Sequence, residues 1–448
     1  MVHCRSVWMR WLVRLAIVFL LTVMLALMGS DKAALMGRDK AALMGSNKAA
    51  LMGSEKAALM GSEKAALMGS NKAALMGSEK AALMGSDKAE ITNLETRTNT
   101  TAEVLTGAES GAAVQRASTN VTEPFVIPTR KYTVPGCPCA RQGLDVRILQ
   151  ERQREARERP EAFPKRFLNR FSFEGESTCS DFATQRGGNQ RVVSYSYYTT
   201  TGQSKPGSET FHKYLGQLYG TAKKVHTSYP DWVMRIYHNV SIEDTFGMQT
   251  LCHLHCNYAH VDLCHVHDLP ALGNLNARGV VGRLWRFAVM GDPTVELFIC
   301  RDTDSWILNR EVAAVASWLQ SGRTYHLIHD HPSHKHIIMA GLWGALNRYP
   351  KVMRNARDKM FNRTYNFQKL FDQQLLAELV WPVIKHDVIN HDSYTCNIHE
   401  SAVPFPMRRG STKYCGWSPI RTHAMSLIKK TLCPIQCRPP GKLRWSRC

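Results

Sequence analysis

The pattern that most constrains this chain is an alternation of short apolar runs with helical stretches, beginning near residue 191. Arg191–Tyr198 is rich in β-formers and reads as a strand. A Gly/Ser/Pro loop follows, then Phe211–Ala222 with helical spacing. Trp232–Tyr237 and Val261–Cys264 are strand candidates around a helical stretch at Glu243–Leu254. Leu284–Met290 is apolar, and Val295–Cys300 is a short buried-strand run. Glu311–Leu319 predicts a helix with Val312, Val315, Ala316 and Leu319 on one face. Strands alternating with helices predict an α/β domain with a mostly parallel central sheet. Farther on, Gly341-Leu342-Trp343-Gly344 reads as a tight turn with an aromatic wall, Tyr365–Trp381 as a helix, and Val383–Ile389 as a strand.

The N-terminal part cannot join that sheet. Leu15–Met28 is a run of fourteen uncharged, mostly large apolar residues preceded by Arg5, Arg10 and Arg14. A membrane helix needs about 17–25 such residues, so the run is short unless Arg14 snorkels. It reads as an uncleaved signal anchor over 15–29 behind a basic cytosolic tail, 1–14, with a cleaved signal peptide as the alternative. Residues 26–89 are eight near-identical copies of Ala-Leu-Met-Gly-Ser-(Asp/Glu/Asn)-Lys-Ala. Eight residues overshoot two helical turns by about 80°, so no fixed apolar stripe results, and a glycine in each copy weakens the helix. This is a stalk or a tolerated expansion. A Thr/Ser/Glu-rich stem over 90–136 follows, then a folded domain over 137–420 and a cysteine-containing tail over 421–448.

Charge and cysteine usage narrow the partners. Of the formal +20, the anchor and the repeats carry +3 each, leaving +14 for residues 90–448. An anionic ligand fits that balance. Nucleic acid ranks last, because the basic residues are dispersed and the anchor would put a membrane in between. Thirteen cysteines and sequons at Asn99, Asn120, Asn239 and Asn362 agree with luminal or extracellular exposure. The odd count leaves at least one thiol without a partner in the chain.

Three groups of residues suggest chemistry. Asp302 and Asp304 follow the apolar run directly, with Arg301 before them. Two carboxylates at a strand's end suit Mn²⁺ or Mg²⁺, which takes diphosphate oxygens as further ligands, and Arg301 would add a phosphate contact. His326, His329, Asp330, His331, His334 and His336 read as a loop lining the substrate site, or as the zinc site of a hydrolase. Cys252, His253, His255, Cys256, His260, Cys264, His265, His267 and Asp268 could build structural zinc, but lack paired C-x2-C knuckles, so disulfides or buried thiols are the better reading of the cysteines. Asp372 is a solvated helix charge or a carboxylate aimed at the site. His391 could complete a metal shell with Asp302 and Asp304, and Asp392 could bind substrate hydroxyls.

These residues occur in an ordered series: Arg301-Asp-x-Asp-Ser305, Arg310-Glu311, Ala313 to Trp318-Leu319, His331-Pro-x-His334, Gly341-x-Trp343-Gly344, Asp372-Gln373, His391-Asp-Ser393 and Pro404-Phe-Pro-x-Arg408. From about Val192 to about Trp417 the series resembles a group of poorly characterised glycosyltransferase-like proteins of the nucleotide-diphospho-sugar transferase type. The resemblance implies a GT-A-like, Rossmann-type sandwich. It implies Asp302 and Asp304 on Mn²⁺ or Mg²⁺ against the donor diphosphate, His391 or Asp392 as a further metal or substrate ligand, and Asp372 facing the acceptor as a candidate base. An Arg precedes the Asp-His-Pro of that pattern; here His329 stands there, beside Asp330 and His331, and could serve the diphosphate only when protonated. The function implied is transfer of a sugar from a nucleotide-diphosphate donor to a glycan, glycoprotein or glycolipid acceptor, by a type II membrane protein of the Golgi or ER lumen. The alternatives are an inactive glycan- or nucleotide-binding member and the zinc hydrolase.

Overall fold

The computed structural model describes residues 125–199, 205–365, 368–396, 399–419 and 424–448, all in the second of the chain's two units, Ala117–Cys448. The expected cytosolic tail, signal anchor, octapeptide repeats, most of the stem, and the sequons at Asn99 and Asn120 lie outside the described residues. Among the described residues no helix is long and apolar enough to cross a membrane.

The described residues begin with an antiparallel pair, β1 (Thr129–Thr133) and β2 (Ala140–Leu144). The main sheet holds β3 (Gln190–Tyr197), β4 (Val233–His238), β5 (Val261–His265), β6 (Val295–Arg301), β7 (Tyr325–His329), β8 (Leu342–Leu346), β9 (Val388–Asp392) and β10 (Ala402–Val403). Their order is β10-β9-β7-β8-β6-β3-β4-β5. Only β8 runs antiparallel to its neighbours. This is the mixed α/β fold with a mostly parallel sheet that a GT-A-like architecture requires.

A parallel sheet must be covered on both faces, so its strands are apolar on both sides. In β3, Val192 faces one core and Val193, Tyr195 and Tyr197 the other; in β6, Phe298 and Cys300 alternate with Leu297 and Ile299. Helices Leu218–Ser228, Thr245–Asn257 and Asn309–Gln320 cover one face through Val225, Leu251 and Trp318. The other face is covered by the 3-10 turn Gly282–Val289, helix Pro350–Phe361 and the helical stretch from Phe371 to Ile384. Local chemistry sets the helix starts: Asp244 accepts from Gly247 N at 3.0 Å and Asp145 from Arg147 N at 3.0 Å.

Three local expectations are corrected. Gly341–Gly344 leads into and lies largely in strand β8, and is no turn. β8 is paired on both sides, and Trp343 is buried edge-on to Phe298, ring centroids 5.3 Å apart. A Cβ at Gly344 would meet Phe298 O at 2.6 Å, so close strand packing explains the glycine. The strand expected at Val383–Ile389 begins only at Val388, because Trp381–Ile384 closes the preceding helix. The helix Asn309–Gln320 buries Glu311, Ala314, Val315 and Trp318 and leaves Ala316 exposed, since two ion-paired side chains share its inner face with the apolar ones.

The cysteines form Cys137–Cys252, Cys139–Cys256 and Cys179–Cys264, which excludes zinc on Cys252, Cys256 and Cys264. Cys396–Cys437 joins the C-terminal segment to the chain beyond β9, and Cys433–Cys448 closes a loop within that segment. Cys300 and Cys415 are buried free thiols.

Candidate functional site

Strand order reverses between β3 and β6: from β3 the sheet grows through β4 and β5 on one side and through β6 on the other. The connections must diverge there, which opens a crevice at the strands' carboxyl ends. β3 ends at Tyr197 and is followed by Tyr198; β6 ends at Arg301 and is followed by Asp302. A cavity of about 600 Å³ lies at this point, lined by Tyr198, Asp302, Asp304, Arg286, Asp372 and Lys369 among others.

Past β6 the backbone turns at once, with Ser305 N donating to Asp302 O at 3.1 Å. That turn brings both Asp302 and Asp304 to the cleft. Gly341 makes room for the first: a Cβ there would lie 2.4 Å from Asp302 Oδ2. Arg286, on the Gly282–Val289 turn, donates through Nη1 to Asp302 and through Nη2 to Asp372 Oδ2 at 2.8 Å. Burial disfavours the guanidinium charge, but Asp302 and Asp372 outweigh it and raise its pKa above the ordinary value. The donor set of the acidic pair is hard oxygen, cradled against a residue without a side chain, and so fits Mn²⁺ or Mg²⁺.

Of the expected site residues, Asp302, Asp304 and Asp372 line one cleft, and the other six do not line it. Arg301 points into the core, where Nε donates to Glu311 Oε1 at 2.7 Å, so it offers no phosphate contact. His329 spends its ring nitrogens on Asn390 Oδ1 and His336 O. Asp330 is buried between Arg310 and Arg409; burial would raise its pKa, but the two guanidiniums outweigh that and lower it. His331 packs against the Tyr414 ring, centroids 4.4 Å apart, with Nδ1 on Ser333 Oγ. His391 Nδ1 is 2.8 Å from His326 Nε2, in the core and away from Asp302 and Asp304. Burial pushes its pKa down to about 4. Asp392 Oδ1 accepts from Tyr394 N and Thr395 N, both at 2.8 Å, and so holds the turn after β9. For the five at or just past the ends of β7 and β9, the common cause is that these strands are inner parallel neighbours, so residues near their ends are absorbed by the sheet's own polar network.

From the histidine-rich segment, His334 and His336 reach the cleft. A zinc hydrolase centre on His326–His336 is not assembled. Among the described residues the one group with three ligating atoms within 4.8 Å of one another is Asp392, Cys396 and Cys437, and its two sulfurs are joined to each other.

Arg286, Arg283, Lys369, Tyr198 and Tyr214 also line the cleft and were not singled out from sequence. For Arg286 a signal existed: it is the one charged residue inside the run Leu284–Met290, and a cation inside an apolar stretch needs a buried partner.

No protein-family model matches this chain, and no curated protein does. Among solved structures it is similar to a glycosyltransferase involved in the glycosylation of the major capsid of PBCV-1. That match has 13% identity, covers 45% of this chain and 81% of that one, and has a TM-score of 0.28. The mannosyltransferase PcManGT from Pyrobaculum calidifontis, in complex with GDP-Man and Mn²⁺, matches at 11% identity over 65% of this chain and 73% of that one, TM-score 0.28. The 4-diphosphocytidyl-2C-methyl-D-erythritol synthase of Anaerococcus prevotii matches at 11% identity over 48% and 91%, TM-score 0.28. These likenesses are distant, and the functional reading rests on the cleft itself.

Proposed function

We propose that this chain is a metal-dependent glycosyltransferase that moves a sugar from a nucleotide-diphosphate donor to a glycan, glycoprotein or glycolipid acceptor. One observation carries the reading: Asp302 and Asp304 meet Asp372 in a single cleft at the point where the strand order reverses. Asp302 and Asp304 would hold Mn²⁺ or Mg²⁺, which when bound neutralises the charge developing on a departing nucleoside diphosphate. Arg283 and Lys369 supply cations for phosphate oxygens. Tyr198, partly exposed and edge-on to Trp285, offers a ring for a base or sugar to stack on. Arg286 fixes the orientation of Asp372, which would take the proton of the acceptor hydroxyl.

The proposed setting is the lumen of the Golgi or ER, with residues 15–29 as membrane anchor. The five disulfides support an oxidising compartment.

The test is thermal unfolding of the full-length protein with Mn²⁺ and a panel of nucleoside diphosphates. A ligand of the native state at a hundredfold excess over its dissociation constant adds about 2.7 kcal/mol of stability. The expected result is a metal-dependent rise in midpoint with one nucleotide, lost in Asp302→Asn. No rise with any nucleotide, in a folded sample, overturns the reading; binding without turnover of any sugar donor would leave a nucleotide-binding protein.

A further inference from the structure

A second cavity of about 590 Å³ lies toward the opposite edge of the sheet, between β1 and the carboxyl ends of β4 and β5. Four histidines line it: His255 on the helix Thr245–Asn257, and three at or just past the ends of β4 and β5. His238 is the last residue of β4, and it pairs in register with His265, the last residue of β5; His267 follows two positions on. Ring centroids of His238 and His265 are 5.2 Å apart, and those of His265 and His267 are 4.8 Å apart. Imidazoles bound tetrahedrally to one ion, with metal–nitrogen distances of about 2.0–2.1 Å, have centroids about 5 Å apart.

The surroundings suit ligation. His238 is almost wholly buried, yet its Nδ1 has no hydrogen-bond partner. A buried polar atom without a partner carries a desolvation cost that needs a reason. His265 is bonded through its ring to the Val240 backbone. A metal-bound histidine characteristically uses its second nitrogen in this way, which fixes the ring and leaves the other lone pair outward. Glu243 and Asp268 line the same cavity and offset a cation's charge. The neighbouring sulfurs of Cys137, Cys252 and Cys264 are spent in disulfides, so imidazoles are the donors that remain.

We propose that His238, His265 and His267 bind one borderline divalent transition ion of the Zn²⁺ class, with the fourth position left to water or a nearby carboxylate. Imidazole donors select this class over Mg²⁺, Ca²⁺ or Mn²⁺, so the site is chemically distinct from Asp302 and Asp304. The three donor atoms do not share a 4.8 Å sphere as the side chains stand. His267 is exposed, so a change of its rotamer can close the set while His265 keeps its bond to the Val240 backbone. Bound there, the ion would tie the ends of β4 and β5 together.

The experiment is a Co²⁺ titration of the untagged full-length protein, followed by visible absorption. Expected is the intense band of four- or five-coordinate Co²⁺, saturating at one ion per chain and displaced by Zn²⁺. The affinity should fall at least tenfold in His265→Gln and in His267→Gln and stay unchanged in Asp302→Asn. His267 is on the surface, so its variant keeps the fold, which circular dichroism checks. No band, a band that both histidine variants retain, or a band lost only with Asp302→Asn overturns the proposal.

Discussion

Arg286 and Asp372 are joined at 2.8 Å in the interior of the cleft, and the same guanidinium reaches Asp302. One cation therefore sets the positions of two carboxylates that come from segments 70 residues apart in the chain. Removing it leaves Asp372, itself buried, as an uncompensated charge. Arg286→Met is expected to cost about 3–5 kcal/mol in denaturant unfolding. Asp372→Asn in the same background should restore part of the loss. A cost under about 1 kcal/mol would show that the pair is not held in the folded protein.

Gly341→Ala tests the cradle under Asp302. The added Cβ would stand 2.4 Å from Oδ2, and the exposed carboxylate is the group that can move. Mn²⁺ affinity, measured with the nucleotide present, should drop about tenfold, or about 1.4 kcal/mol. The unfolding midpoint should change little.

Stability should fall with acid well above the carboxylate range. Burial, with smaller contributions from neighbouring cations, pushes His334 down to about 3 and His391 down to about 4, so both are neutral in the folded protein. The unfolded chain takes up those protons below about pH 6.5, where the folded chain does not. Unfolding free energy therefore rises with pH from the folded values to about 6.5, and this contribution is complete above that. Each such histidine steepens the slope by about 1.4 kcal/mol per pH unit in the window. His334→Asn, whose amide oxygen can accept from Asp330 N as the imidazole does, should flatten the profile between pH 6 and 4, read by urea unfolding at stepped pH.

Cys137–Cys252 and Cys139–Cys256 clip the segment between β1 and β2 to the helix Thr245–Asn257 across separations of 115 and 117 residues. Replacing Cys137 and Cys252 together by Ser is expected to cost about 2–5 kcal/mol. Reduction of the wild type should lower its midpoint at least as far.

Asn362 is exposed at the end of the helix Pro350–Phe361, its Oδ1 accepting from Arg278 at 3.0 Å. If this face is luminal, glycosidase treatment of the expressed protein will shift its mobility, and Asn362→Gln will reduce the shift. No shift with all four sequons intact would refute luminal placement.

Much of the architecture was legible along the chain, because strand and helix periods are local properties. All seven of the expected strand and helix runs between residues 191 and 320 overlap observed elements, and the Asp302/Asp304 pair follows β6 as its apolar run implied. The disulfide expectation for the cysteines of the second cluster agrees with their pairing. What spacing could not convey was which residues face the cleft. Asp330, His391 and Asp392 read as ligands because carboxylates and imidazoles near strand ends often are. Here β7 and β9 lie side by side within the sheet: Arg310 and Arg409 hold Asp330, His326 bonds His391 Nδ1, and the Tyr394 and Thr395 amides hold Asp392. Nor could it show that Arg286, in a run that read simply as apolar, would bridge Asp302 to Asp372. Periodicity and composition act through neighbours in sequence, so they determined the elements. The cleft arises where strand order reverses between β3 and β6, a long-range pairing, so only the tertiary structure decided which charges meet there.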